Sequence, residues 1–178
     1  AIGDYFYRFD VNDLSKGEKL GPHRVKLPHS MKLTDSGRYL CYGSMDNPAE
    51  GRNGESKMVG VWDMKTGEAT RIDLPTTCWH VIPHPTKELF YAVSFRVLPQ
   101  DYVDYHEWAM AYFKEYAFEI SAADKRVVRH WVGGREIPAH INSDVTISDT
   151  ELIFCNGGSA TIVFINLKDF ASFRIIDE

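Results

Sequence analysis

A pattern that recurs four times along the chain limits its fold more than any other feature. Each unit has an aromatic or aliphatic residue, an acid or amide, a second apolar residue, a polar turn, and then a β-rich run. The first unit is Phe9-Asp10-Val11, a turn through Lys16-Gly17, and Arg24-Val25-Lys26-Leu27-Pro28. The second is Trp62-Asp63-Met64, the turn Lys65-Thr66-Gly67-Glu68, and Thr70-Arg71-Ile72-Asp73-Leu74-Pro75. The third is Phe118-Glu119-Ile120, a turn at Ala123-Asp124-Lys125, and the run 127–132. The fourth is Ile165-Asn166-Leu167, a turn at Lys168-Asp169, and the run 172–176. From one unit to the next the spacings are 53, 56 and 47 residues. Each reads as two alternating strands joined by a Gly/Asp/Lys turn, because successive side chains on a strand face opposite sides.

Three more hairpins lie between these units. They are 31–34 with 38–43 around Asp35-Ser36-Gly37, 81–82 with 89–95 around Pro85-Thr86-Lys87, and 145–147 with 152–155 around Ser148-Asp149-Thr150. Four strands per repeat of about 50 residues is the blade of a β-propeller. The expected fold is all-β: a partial β-propeller of about three and a half four-stranded blades, with one helical insertion. The expected segments are an outer half-blade at 4–28, a blade at 29–75, a blade at 76–132 with an insertion at 98–114, and a blade at 138–177.

Two stretches carry a resemblance to a known repeat. Pro28-His29-Ser30-Met31-Lys32-Leu33-Thr34-Asp35-Ser36-Gly37-Arg38-Tyr39-Leu40 resembles the first half of a YVTN-type propeller repeat, and the run 154–167 resembles its second half. The chain therefore looks like a member of the lactonase-like and amine-dehydrogenase-like propeller group, within the wider set of WD40/YVTN-like repeats. The middle repeat lacks the Asp-Gly turn. The resemblance implies a blade and little about activity, because one fold hosts many functions.

Composition excludes several classes. A net charge of −5 leaves no basic footprint for nucleic acid. No apolar stretch is long enough to cross a bilayer, and no signal peptide opens the chain. The first residue is Ala1 rather than Met, which fits a mature or excised piece. Cys41, Cys78 and Cys155 are odd in number and show no C-x-x-C spacing, against a disulfide framework or a thiolate zinc site. The expected compartment is the cytoplasm.

A propeller needs at least four blades to close. Open blades expose apolar faces and sheet edges. The expected partner is thus a second chain, in a heteromeric assembly, or a missing N-terminal segment that completes the propeller. A two-fold homodimer does not supply the missing half blade.

The inner strands of a propeller begin near its axis, and ligands bind in the funnel there. Here each begins near a histidine: His29, His80 and His140. Imidazoles converging from successive blades suit a divalent transition metal, and His80 and His140 suit acid–base work on a small-molecule ligand. The competing reading is that these rings hydrogen-bond to neighbouring blades and seal the axis. Register matters, because a one-residue slip turns a side chain to the other face, and a gap-free alignment matches Asn142 with His29. Asn142-Ser143-Asp144 forms a second polar cluster at an inner-strand start.

The insertion at 98–114 has near-helical apolar spacing at 102, 105, 109, 112, 113 and 116. It is either a lid that places Tyr102, Tyr105, His106 and Trp108 against a ligand, or a helix on the rim or at a partner. A polar, glycine-containing stretch at 44–57 reads as a loop. His23, His84 and His130 lie outside the inner-strand positions. No P-loop, G-x-S-x-G or H-E-x-x-H motif is present.

Two functions follow. One is a subunit or C-terminal part of a propeller enzyme, with a His-coordinated metal and a small molecule in the axial funnel. The alternative is a non-catalytic propeller scaffold that binds protein partners or supports a redox subunit.

Overall fold

Apolar–polar alternation, punctuated by short polar turns, produces strands and no helix among the described residues. A computed structural model describes residues 3–45, 56–94, 115–133, 142–156 and 161–176, with only the backbone at 142, 143 and 156. The helix expected at 98–114 lies outside these residues. Strands β1 (Tyr5–Asp10) and β2 (Asp13–Pro22) form a two-stranded sheet. The first four-stranded sheet is β3 (Leu27–Leu33), β4 (Tyr39–Met45), β5 (Met58–Asp63) and β6 (Glu68–Asp73). The second is β7 (His80–Pro83), β8 (Leu89–Val93), β9 (Tyr116–Ser121) and β10 (Arg126–Val132). The third is β11 (Asn142–Ile147), β12 (Glu151–Asn156), β13 (Thr161–Asn166) and β14 (Phe173–Ile176). Each is an antiparallel meander in which sequence neighbours are sheet neighbours, as in a propeller blade.

Ladder positions align the three larger sheets. Leu40 pairs with Leu33 and Trp62, Phe90 with Pro83 and Ile120, and Leu152 with Ile147 and Ile165. The next residues along the third strands are Asp63, Ser121 and Asn166, and each caps the following turn. Asp63 Oδ1 accepts from Lys65 N at 2.9 Å, Ser121 Oγ from Asp124 N at 3.0 Å, and Asn166 Oδ1 from Lys168 N at 2.8 Å. Asp10 does the same for Asn12 N at 2.8 Å in the two-stranded sheet. Side chains that bond the backbone two or three residues on are what tight turns select. The third repeat unit is therefore Ile120-Ser121-Ala122, two residues later than the pattern Phe118-Glu119-Ile120 suggests. Glu119 has a different task, described below.

Both faces of the middle strands are covered, so β5 is buried throughout. Val59 and Val61 pack toward Val81, Phe90, Ala92, Phe118 and Ile120 of the second sheet. Met58 and Trp62 pack with Phe6, Val25 and Tyr42 on the opposite side. A third core joins Tyr91, Val93 and Trp131 to Val145, Leu152, Phe154, Val163 and Ile165. Each fully buried side chain of this size contributes about 1.5–3 kcal/mol. The sheets thus stack through three successive seams, and β7 lies against both β3 and β11. At the first seam β4 runs so close to the 78–79 backbone that a Cβ on Gly43 would collide with the Trp79 carbonyl. Ser44 N donates to Cys78 O there at 3.0 Å.

Candidate functional site

The first strand of each four-stranded sheet is an edge strand, and the starts of β3, β7 and β11 form the candidate site. His29 pairs with Gly43 and His80 with Val93, each three residues past the aligned Leu40 and Phe90. The two histidines thus stand at the same ladder level. In sequence they are eleven and ten residues before those anchors. A β-bulge absorbs the difference: Ser30 and Met31 together oppose Tyr42 between the His29–Gly43 and Lys32–Cys41 pairs. Ser30 takes a left-handed φ of 51°, a conformation that costs a non-glycine residue about 1 kcal/mol. Its hydroxyl accepts from Val81 N at 3.2 Å, so the strained residue also ties β3 to β7.

The imidazoles meet edge to face, with centroids 5.3 Å apart at 88°. Both are half-buried. His29 Nδ1–H donates to Trp79 O at 3.3 Å, which leaves Nε2 as the nitrogen with a lone pair. Burial, and then the nearby His29, push His80 below its ordinary pKa, while Asp144 draws it upward. His80 is therefore set up as a neutral imidazole, able to accept a proton or to act as a ligand.

In the third sheet the pairs Asn142–Asn156 and Val145–Phe154 leave Ser143 and Asp144 together opposite Cys155. Cys155 is at the level of Gly43 and Val93, so the counterpart of His29 and His80 is the Ser143-Asp144 bulge. Asn142 opens β11 one level further out. Asp144 is exposed, and its Oδ1 accepts from Val145 N at 2.7 Å. His140 precedes the strand and lies outside the described residues, as do Tyr102, Tyr105, His106 and Trp108. The row described at this level is therefore His29, His80 and the Ser143-Asp144 bulge. Among the described residues, no group of three or more His, Cys, Asp or Glu side chains is placed to hold a metal ion. His29 thus ties β3 to the segment that leads into the second sheet, through the Trp79 carbonyl.

A second polar constellation carries no recognisable motif. Glu119 points from β9 into the seam between the second and third sheets, where its side chain is 6% exposed. Arg129 grips it with Nε and Nη2 at 3.0 and 2.6 Å, and Tyr91 Oη donates at 3.1 Å. The same guanidinium reaches the next sheet, donating to Leu167 O at 3.0 Å and Lys168 O at 3.1 Å. Phe170, at φ 53°, stacks on Tyr91 with centroids 5.8 Å apart and lies under the guanidinium. Burial pushes the Tyr91 hydroxyl well above its ordinary pKa, and the Glu119 charge adds to this. The unit is a latch that locks two sheets. Its sequence signal was an acid in a third strand two positions before the turn, facing an arginine across a hairpin.

No protein-family model matches the chain, and no curated protein matches it by sequence. Solved structures do. The chain is similar to Kuenenia stuttgartiensis hydrazine synthase at 16% identity and TM-score 0.65, over 98% of this chain and 44% of that one. It is similar to U3-55K at 12% identity and TM-score 0.62, over 99% of this chain and 46% of that one. Apo AztD from Citrobacter koseri gives 11% identity and TM-score 0.57, over 90% of this chain and 40% of that one. The chain thus spans less than half the length of each of these solved chains. At such identities the likeness shows the fold alone. The chain is an all-β assembly of sheets resembling those of other β-propeller proteins.

Proposed function

We propose that this chain is a non-catalytic scaffold, a segment of three and a half blades within a larger β-propeller. The observation that carries the reading is the flank of the β1–β2 hairpin. Phe6 is buried against Tyr42 and Trp62, at centroid distances of 5.0 and 5.6 Å. On the opposite face Tyr5, Tyr7 and Phe9 are 36%, 37% and 47% exposed. An aromatic row of this kind is unusual on a finished surface and common at an interface. Its occupant is a further sheet of the same type, because the first and second four-stranded sheets each bury an apolar row against the next. The strands β5, β9 and β13, which align with β1, are each paired on both edges. The greater length of the similar solved chains supports the same occupant.

The test places charge on the flank. A Tyr7→Glu/Phe9→Glu variant should fold, since both side chains are exposed, yet lose stable association with the remainder of the propeller in light scattering of the purified assembly. If the assembly forms with unchanged mass and unchanged hydrogen exchange at β1, the flank is ordinary surface and the scaffold reading fails.

One observation favours a second reading, an enzyme with a divalent metal and a small molecule in the axial funnel: His29 and His80 stand at one ladder level with rings in contact. Stoichiometric metal in the purified protein that disappears in His80→Ala would support it. Metal-free protein would leave the scaffold standing.

A further inference from the structure

At the end of β7 opposite His80, a cleft of about 350 Å³ opens across the seam between the second and third sheets. Its size falls within the range of small-molecule sites. The Tyr91–Glu119–Arg129 latch forms its floor, with His84 and Lys87 on one wall and Asp149, Thr150 and Lys168 on the other.

The hydrogen-bonding inventory decides what such a cleft can hold. Glu119 accepts three hydrogen bonds, one from Tyr91 and two from Arg129, and its charge offsets that of the guanidinium. Arg129 commits its remaining reach to the carbonyls of 167 and 168. His84 Nδ1 accepts from Thr86 N at 3.1 Å, which leaves the proton of the neutral ring on Nε2, a donor. Burial, and then Lys87, hold this imidazole below its ordinary pKa, so the donor is neutral. Lys87 and Lys168 make no ion pair among the described residues. One carboxylate, Asp149, remains to oppose two ammonium groups. The walls therefore offer a surplus of positive charge and of donors, one lysine from each sheet.

We propose that this cleft binds a small dianion, carrying two carboxylates or a phosphate, bridged between Lys87 and Lys168. The ligand would span the seam that the Arg129 latch closes from below. Binding would then stabilise the junction of the two sheets.

Equilibrium chemical denaturation of the full-length protein tests this, with inorganic phosphate and succinate as probes and sodium chloride at matched ionic strength as control. A one-site ligand at ten times its Kd raises the folding equilibrium constant about elevenfold. A rise of that order with either probe, lost in Lys87→Gln/Lys168→Gln and kept in the control Lys32→Gln/Lys57→Gln, would establish the site. A phosphate-only response identifies a phosphate ligand, and a response to succinate identifies a dicarboxylate. No rise with either probe at millimolar concentration, or an equal rise in both double variants, overturns the proposal.

Discussion

Replacing Arg129 with methionine tests whether the seam between the second and third sheets is locked by an ion pair. The substitution keeps much of the aliphatic stem and removes the guanidinium, which lies over Phe170. Four hydrogen bonds go: two to Glu119 and two to the carbonyls of 167 and 168. The carbonyls lie at the exposed turn, where water replaces the lost donors at small cost. The carboxylate cannot recover in the same way, because its side chain is 6% exposed and only the Tyr91 hydroxyl remains beside it. Stranding one partner of a buried pair costs about 3–5 kcal/mol. Arg129 itself is 33% exposed, so water can enter the space it leaves, which points to the lower end, about 3 kcal/mol. The assay is urea denaturation of the wild type, Arg129→Met, Glu119→Gln and the double variant. The double variant should cost less than the sum of the single ones, since a neutral amide no longer needs the guanidinium. Hydrogen exchange should quicken at the β13–β14 turn and stay unchanged at β3. A loss below about 1 kcal/mol for Arg129→Met, or additive single effects, would refute the latch.

Two further outcomes follow. Burial, then His29, depress the His80 pKa below 6.5, so the unfolded chain binds the proton more readily than the folded one. His80 then contributes stability fully present above about pH 6.5, lost as pH falls toward its lower folded pKa. Denaturation midpoints from pH 7.5 to 5 should fall less steeply in His80→Gln than in wild type; equal slopes would show that the burial of His80 is immaterial. The thiols divide in a similar way. Cys41 and Cys78 are fully buried, and burial pushes both thiols well above their ordinary pKa, whereas Cys155 is exposed. A chromogenic disulfide reagent should titrate one thiol rapidly in the native protein and three in denaturant; rapid reaction of Cys41 or Cys78 would mean that the first seam opens.

Which parts of this molecule its sequence reveals depends on how far each cause reaches along the chain. The strands and turns have local causes: alternation along β10, the amide-capping side chains of Asp10, Asp63 and Asn166, and the left-handed Gly37 and Gly67. Those were readable. The bulge at Ser30 has a distant cause. Its hydroxyl is held by an amide fifty-one residues away, so nothing near His29 announces that the ring is brought level with His80. The mis-phased third unit has a related origin. Glu119 sits two positions before the turn and imitates the capping acid of Asp63, but it faces a seam whose opposite wall includes carbonyls of residues 167 and 168. An acid in a strand can thus serve a turn or a neighbouring sheet, and only the partner across the seam distinguishes the two. The same logic governs the candidate site. Its geometry is set by where three edge strands begin relative to one another, and those starts are fixed by bulges in β3 and β11 rather than by the spacing of histidines. Substitutions that shift a bulge, such as Ser30→Pro, should therefore uncouple His29 from His80 more effectively than changes to the residues around either ring.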